Sequence, residues 1–244
     1  MRTLILALAM SCLLSSPALA APEGRFERLA GEGGMLVAAP HGGYDRHSEQ
    51  IAREVALQSG AGYLLALGFR TFEQPWNVNR PTAGVGLKAH EEARPPEAAA
   101  VYRAYLGHVL TAAPALYVEI HGNKRPESAG WIEVATQGLT PEEAAAFRGF
   151  FRARAAQLTD VPRFDMRIEP LDPIHYKASG AKAHGVFREV GRVLHLELPW
   201  AMRRDERVRS RYAWAIASAL NDFRLSAGGT PTDGASPVPT AKNL

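Results

Sequence analysis

The chain has 244 residues, of which 46% are hydrophobic and 22% are charged, and its formal net charge is +3. It is too apolar for a disordered chain and too poor in glycine and proline for a fibrous one, so we expect an ordinary globular protein. The small net charge, without a basic run interleaved with aromatic residues, excludes nucleic acid as an expected partner.

The first twenty residues predict a secretory signal peptide. Arg2 precedes an apolar run over 4–14, and the small residues that follow predict cleavage after Ala20. The run is too short to span a bilayer and no later segment is long enough, so we expect no membrane span after cleavage. The only cysteine, Cys12, lies inside the signal, which leaves the mature chain without a thiol. We therefore expect a periplasmic or secreted protein.

The rest of the chain predicts a single domain over residues 21–225 and a disordered tail over 226–244. Apolar runs predict strands over 35–39, 62–67, 116–121, 130–136 and 193–198. Helical spacing predicts helices over 48–58, 96–109 and 205–225, and a further helix that opens at Thr140. Buried strands that alternate with helices predict an α/β fold, with a mixed, mostly parallel central sheet and helices on both faces.

Three polar segments show no clear period of their own. Residues 21–33 form a short polar stretch, residues 71–94 a long loop, and residues 174–184 a polar loop before the last strand. Loops as long as 71–94 are often functional in compact domains. We further expect Ser48 and Thr140 to cap the helices that begin there. The sequence leaves open both the role of 174–184 and the oligomeric state.

Polar side chains occur at the ends of three predicted strands. His41 follows the first, with Asp45 four residues later, Glu119 and His121 lie two residues apart in the third, and the last strand carries His195 and Glu197. In such folds ligands bind at the carboxyl ends of the strands. Two histidines and a carboxylate are the usual ligands of a catalytic zinc, and a separate carboxylate can act as general base. Alternate strand residues share a side, so Glu119 could accept the second ring N–H of His121. Spacing alone leaves a purely structural role for these histidines open.

Four short segments follow one another in a recognisable order. They are Ala39-Pro40-His41-Gly42-Gly43, Asn77-Val78-Asn79-Arg80-Pro81, Glu119-Ile120-His121-Gly122 and His195-Leu196-Glu197-Leu198-Pro199. The ordered set resembles N-formylglutamate amidohydrolase-like proteins, which are relatives of the zinc carboxypeptidases, aspartoacylases and phage poly-γ-glutamate hydrolases. The resemblance extends over most of the chain, from about residue 35 to residue 199.

The resemblance implies a role for each of these segments. Zinc would be held by His41, by an acid shortly after it, and by His121. Glu197 would match the late glutamate that activates the zinc-bound water. Asn79 and Arg80 would match the pair that holds a substrate carboxylate, which a planar guanidinium can grip through two parallel hydrogen bonds.

The acidic ligand is the point where this sequence departs from the carboxypeptidase pattern. Carboxypeptidases place the acid three residues after the first histidine, where this chain has Tyr44. In the poly-γ-glutamate hydrolases the acid lies slightly later, before a Thr or Ser that starts a helix, and Asp45 before Ser48 fits that layout. Glu49, in the first helical turn, has a sufficient role at the helix dipole. We therefore expect Asp45 as the ligand, with Glu49 as the alternative.

These features predict an exported zinc-dependent hydrolase that cleaves an amide bond near a substrate carboxylate. The substrate would be a small molecule or a peptide: an N-acyl amino acid, a γ-glutamyl compound or a cell-wall peptide. No G-x-S-x-G elbow and no phosphate-binding loop occurs, which disfavours a serine hydrolase and a nucleotide-binding enzyme. The alternative is a non-catalytic exported binding protein on a degenerate fold of this type, because a fold does not by itself deliver activity.

Overall fold

The structure is a computed structural model and describes residues 24–226. The predicted signal peptide and, apart from Ser226, the predicted tail lie outside the described residues. The strands are β1 Arg25–Leu29, β2 Met35–Gly42, β3 Gly62–Leu67, β4 Trp76–Asn77, β5 Thr82–Ala83, β6 Leu116–Asn123, β7 Trp131–Gln137, β8 Asp165–Ile168 and β9 Val193–Pro199. The helices are α1 Ser48–Ser59, α2 Pro96–Ala112, α3 Pro141–Ala155, α4 Ser179–His184, α5 Trp200–Arg203 and α6 Glu206–Ser226.

A seven-stranded sheet with the order β1-β3-β2-β6-β9-β7-β8 organises the fold. The central strands β3, β2, β6 and β9 are parallel, whereas β1 runs antiparallel to β3 and β7 antiparallel to β9. Every residue of β2 and of β9 is buried, which explains why both strands are apolar apart from His41 in β2 and His195 and Glu197 in β9. The predicted fold class, a mixed and mostly parallel α/β sheet with helices on both faces, is confirmed.

Each face of the sheet carries its own apolar core. On one face α1, α3 and α6 bury residues such as Ile51, Phe147 and Leu220 against the strands. On the other face α2 and α4 bury Tyr105 and Ala181. No helix of residues 24–226 is long and apolar enough to cross a membrane. The two cores fix the strand positions, and the strands in turn fix the polar residues at their ends.

Some predictions about individual segments and helix caps were wrong. Residues 21–33 contain the edge strand β1, residues 71–94 contain the β4–β5 hairpin, and residues 174–184 contain α4. These elements have two to six residues, too few to show a period. Ser48 is the first residue of α1 and not its cap, because His47 occupies that position with a left-handed φ of 71°. The cap at Thr140 is confirmed: its hydroxyl accepts a bond from the Glu143 amide, and the Glu143 carboxylate accepts one from the Thr140 amide.

Candidate metal centre

Two neighbouring parallel strands place four polar residues side by side at one edge of the sheet. In the pairing of β6 with β9, Glu119 lies beside His195 and His121 lies beside Glu197. Residues two apart on a strand point to the same face, so all four side chains converge. Glu119 Oε2 lies 3.0 Å from both His121 Nε2 and His195 Nδ1, and His195 Nε2 lies 3.2 Å from Glu197 Oε1.

The end of β2 adds a third histidine and a carboxylate to this edge. Gly43 has a φ of +86°, a conformation that favours glycine, and it allows the chain to turn directly after the strand. The turn is closed by a bond of 2.9 Å from the Asp45 amide to the His41 carbonyl. Asp45 Oδ2 then lies 3.3 Å from His41 Nδ1 and 3.2 Å from His121 Nδ1, and all three residues are buried.

Two separations between donor atoms of His41, Asp45 and His121 match those expected around a tetrahedral zinc ion. Zinc binds nitrogen and oxygen at about 2.0–2.2 Å, so its tetrahedral ligand atoms lie roughly 3.3–3.5 Å apart. The two separations measured at Asp45 are 3.2 and 3.3 Å, and the three residues form a group that could hold a metal. His121 Nε2 faces Glu119, the kind of second partner that orients a metal-binding histidine.

Glu119, His121 and His195 form a second group with metal-binding spacing. Glu119 is completely buried and also accepts hydrogen bonds from the Tyr117 hydroxyl at 2.9 Å and the Asn79 amide at 3.2 Å. Its oxygen atoms are therefore occupied by neighbouring donors. This arrangement suits a carboxylate that orients histidines better than one that ligates a metal.

The charges around this site favour a positive group between the carboxylates. Burial alone would lower the pKa of His121, but hydrogen bonds to Asp45 and Glu119 raise it to about 10. Burial alone would raise the pKa of Asp45, but hydrogen bonds to His121 and His41 hold it well below its usual value. The pKa of His41 is lowered by burial and by the positive charge of Arg70. A metal cation would replace the proton on His121, since metal-bound histidine is neutral.

The cluster opens into a cavity of about 800 Å³ that is also lined by Glu197, Asn79 and Arg80. Arg80 does not point an unpaired guanidinium into this space. Its Nε and Nη2 donate to the two oxygens of Glu92 at 2.8 and 2.5 Å, and its Nη1 donates to Asn79 Oδ1 at 3.2 Å. The structure thus brings Asn79 and Arg80 to the site but gives both of them partners within the protein.

Glu49 takes a different position from Asp45. Its carboxylate accepts a hydrogen bond of 3.1 Å from the Gly43 amide, and it does not belong to either group with metal-binding spacing in residues 24–226. Of these two acids, Asp45 alone belongs to a group with metal-binding spacing in the part of the chain that the structure describes.

Sequence reasoning missed several residues that surround the cluster. Arg70 Nη1 lies 2.9 Å from His41 Nε2 and donates to Asn77 Oδ1 at 2.6 Å, and no sequence signal marks it. Glu133 is fully buried and accepts bonds from His175 Nδ1 at 2.7 Å and from the Tyr176 amide at 3.1 Å. Glu133 thereby anchors the segment 174–184 beside the cavity, and a lone acid within an apolar strand was the signal that could have identified it.

Comparisons with known proteins support the fold. No family model and no curated protein matches the chain. A metallo-carboxypeptidase from Burkholderia cenocepacia aligns over 83% of this chain and 62% of its own, with 16% identity and a TM-score of 0.52. A gene product of Agrobacterium tumefaciens aligns over 83% of this chain and 92% of its own, with 12% identity and a TM-score of 0.52. The chain shares its fold with these two structures, one of which is a metallo-carboxypeptidase, and the carboxypeptidase-like fold implied by the ordered motifs is confirmed.

Proposed function

We propose that this protein is a zinc-dependent hydrolase that cleaves an amide bond near a carboxylate of its substrate. Zinc would be held by His41, Asp45 and His121, and Glu197 would act as the general base. One observation carries the proposal: three buried donor atoms have the spacing of zinc ligands and share a cavity with a carboxylate that is not one of them. The metallo-carboxypeptidase that shares the fold is consistent with this chemistry.

When bound, zinc supplies a Lewis acid that polarises the substrate carbonyl and makes water a nucleophile at neutral pH. Glu197 takes the proton of the attacking water as the bond between oxygen and carbonyl carbon forms. The same carboxyl group then delivers that proton to the leaving nitrogen as the C–N bond breaks. His195 faces one oxygen of Glu197 at 3.2 Å and limits the rotation of this carboxylate. Glu119 faces Nε2 of His121 at 3.0 Å and orients the ring, which leaves Nδ1 as the atom that would bind the metal.

The rim of the cavity favours an anionic substrate. Five exposed basic residues line it and form no ion pair with a carboxylate of the part of the chain that the structure describes: Arg46, Lys88, Lys124, Arg125 and Lys177. The acidic residues that line it are Asp45 and Glu197, both buried at the floor. A positive rim concentrates anions at the entrance and orients them. This charge distribution supports an N-acyl amino acid, a γ-glutamyl compound or a cell-wall peptide as substrate.

We further propose that the protein acts in the periplasm or outside the cell, on the strength of the predicted signal peptide. A substrate outside the cytoplasm favours the peptide class over free acyl amino acids. Mass spectrometry of the protein purified from cell fractions tests this location, and we expect a chain that begins at Ala21.

The decisive experiment combines metal analysis with a substrate screen. We expect one zinc per chain in protein purified without chelators, and hydrolysis of at least one amide in a panel of acyl amino acids, γ-glutamyl peptides and peptidoglycan peptides. Removal of the metal should abolish hydrolysis, and added zinc should restore it. If the purified protein neither contains zinc nor gains thermal stability when zinc is added, the proposal of a zinc-dependent hydrolase is refuted. Zinc without hydrolysis of any substrate would favour the binding protein.

A further inference from the structure

Arg203, the last residue of α5, is a buried cation behind the metal centre. Arg203 is 1% exposed, although a charged side chain is costly to remove from water. It forms no ion pair with a carboxylate within residues 24–226, in contrast to the partly buried Arg80 at the same cavity, which pairs with Glu92. A buried arginine without a charged partner requires an explanation, because the free-energy cost of removing its charge from water must be offset by other contacts.

The three nitrogen atoms of the guanidinium donate to three main-chain carbonyls. Nε donates to Leu198 at 3.1 Å, Nη2 to Asn123 at 3.2 Å, and Nη1 to Arg46. Each acceptor lies within two residues of a proposed site residue: Leu198 follows Glu197, Arg46 follows Asp45, and Asn123 lies two residues after His121. One planar group therefore connects the segments that carry the general base and two metal ligands.

Gly122 provides the space in which this guanidinium lies. A Cβ atom built on Gly122 would lie 2.1 Å from Arg203 Cζ and 2.5 Å from both Nε and Nη1, far inside contact distance. The backbone of Gly122 does not have the positive φ that would itself require glycine. The glycine that follows His121 is thus explained by close packing against Arg203.

We propose that Arg203 is a positioning residue that sets the separation between Glu197 and the metal ligands Asp45 and His121, and that Gly122 is glycine to admit it. This inference rests on the proposed function for the roles of those three residues. A planar fork with donors in several directions can reach three separate carbonyls, whereas the point charge of lysine cannot. The positive charge also faces Asp45 and Glu197, with which it interacts favourably.

Hydrogen exchange of the metal-free protein tests the connection without reference to metal or activity. In Arg203→Met and in Gly122→Ala, we expect at least tenfold faster amide exchange in three segments together: 44–48, 122–124 and 196–199. Exchange in α3 and β8 should stay unchanged, which a general loss of stability would not permit. If Arg203→Met fails to fold, Gly122→Ala carries the test, because it retains every original side chain.

Zinc affinity and kinetics then test the consequence for the site. We expect each variant to bind zinc at least tenfold more weakly and to lose at least tenfold in kcat, with KM within threefold of the original. Arg203→Lys should not restore either property, and the double variant should be no worse than the poorer single variant, because both changes break the same connection. Arg154→Met and Gly149→Ala are the controls: Arg154 pairs with Asp222 away from the site, and Gly149 has open space around it.

Unchanged exchange in the three segments, faster exchange spread over the whole protein, or recovery by Arg203→Lys would each overturn the role of Arg203. The failure of the proposed function looks different: the original protein would bind no zinc and cleave no amide. In that case the hydrogen-exchange experiment on the metal-free protein still tests whether Arg203 connects the three segments.

Discussion

The two sides of the cavity differ in their electrostatics. On the strand side, the donor atoms of His41, Asp45 and His121 lie close together, and the raised pKa of His121 favours a proton on its ring. On the loop side, Arg80 carries a permanent positive charge that the protein has already neutralised with Glu92. Under the proposed function, the strand side would bind a metal cation from solution, whereas Arg80 on the loop side would have to release Glu92 before it could bind a substrate anion.

This difference follows from the elements that carry the residues. Strands β2, β6 and β9 are held by the sheet and by two apolar cores, so their ends can keep donor atoms close together. The segment with Arg80 has only the short β4–β5 hairpin, and its shape depends on contacts such as that of Arg80 with Glu92. The comparison predicts that changes on the strand side act on metal and rate, and that changes on the loop side act on substrate affinity and stability.

The largest expected effect is the loss of a metal ligand. His121→Ala, His41→Ala and Asp45→Ala should each weaken zinc binding by more than about 100-fold, since removal of a mere second partner of a ligand already costs 10–100-fold. Titration against a chromophoric chelator measures this. Glu49→Ala is the control and should retain zinc, because its carboxylate bonds to the Gly43 amide. Zinc loss in Glu49→Ala together with retention in Asp45→Ala would reverse the ligand assignment.

A smaller effect, confined to the rate, is expected at Glu197. Glu197→Gln keeps the shape of the side chain but cannot take a proton, so kcat should fall by roughly 100-fold or more. Zinc content should remain that of the original protein, because Glu197 is not needed to complete the ligand set. Steady-state kinetics and metal analysis on the same preparation make the measurement. Near-normal turnover, or a loss of zinc, would show that the base lies elsewhere.

On the loop side, Arg80 and Glu92 should have opposite effects on substrate binding. Arg80→Ala should raise KM by about tenfold or more through the loss of a charge-assisted bond to the substrate. It should also cost about 3 kcal/mol of unfolding free energy, because the buried carboxylate of Glu92 then lacks a charged partner and keeps only the hydrogen bond from the Thr82 hydroxyl. Glu92→Ala should lower KM, since the guanidinium then has no internal competitor. If Glu92→Ala raises KM as much as Arg80→Ala does, the pair is a structural unit and the carboxylate is bound elsewhere on the rim.

The smallest expected effect is a pH dependence that originates on the loop side. Burial alone would raise the pKa of Glu92, but the hydrogen bond and charge of Arg80 outweigh it and lower the pKa below its usual value. Glu92 in the folded protein thus binds its proton less readily than in the unfolded chain. Its contribution to stability is present above about pH 4–5 and is lost as the pH falls through the lowered pKa.

Urea denaturation between pH 7 and pH 3 measures this contribution, with Glu92→Gln as the partner variant. The difference in unfolding free energy between the original protein and Glu92→Gln should shrink as the solution becomes more acidic. A difference that stays constant or grows toward low pH would contradict the assignment of the shift to Arg80.

The sequence by itself determined the fold class and the residues that meet at the edge of the sheet. Buried strands require continuous apolar runs, and polar residues at the ends of such runs therefore stand out, as His41, His121 and Glu197 do. Parallel strands have their carboxyl ends at one edge, so these side chains could be expected to converge before any coordinates were known.

The tertiary structure alone decided which partners these residues have. Glu92 and Arg70 come from a segment without periodicity, and their contacts with Arg80 and His41 depend on how that segment folds over the sheet. The same holds for Arg203, whose three acceptors are main-chain carbonyls that any sequence carries and that no pattern of side chains can reveal. The local sequence determines which side chains of a strand or helix are buried and which face they occupy. The contacts between distant segments form only when both apolar cores have packed.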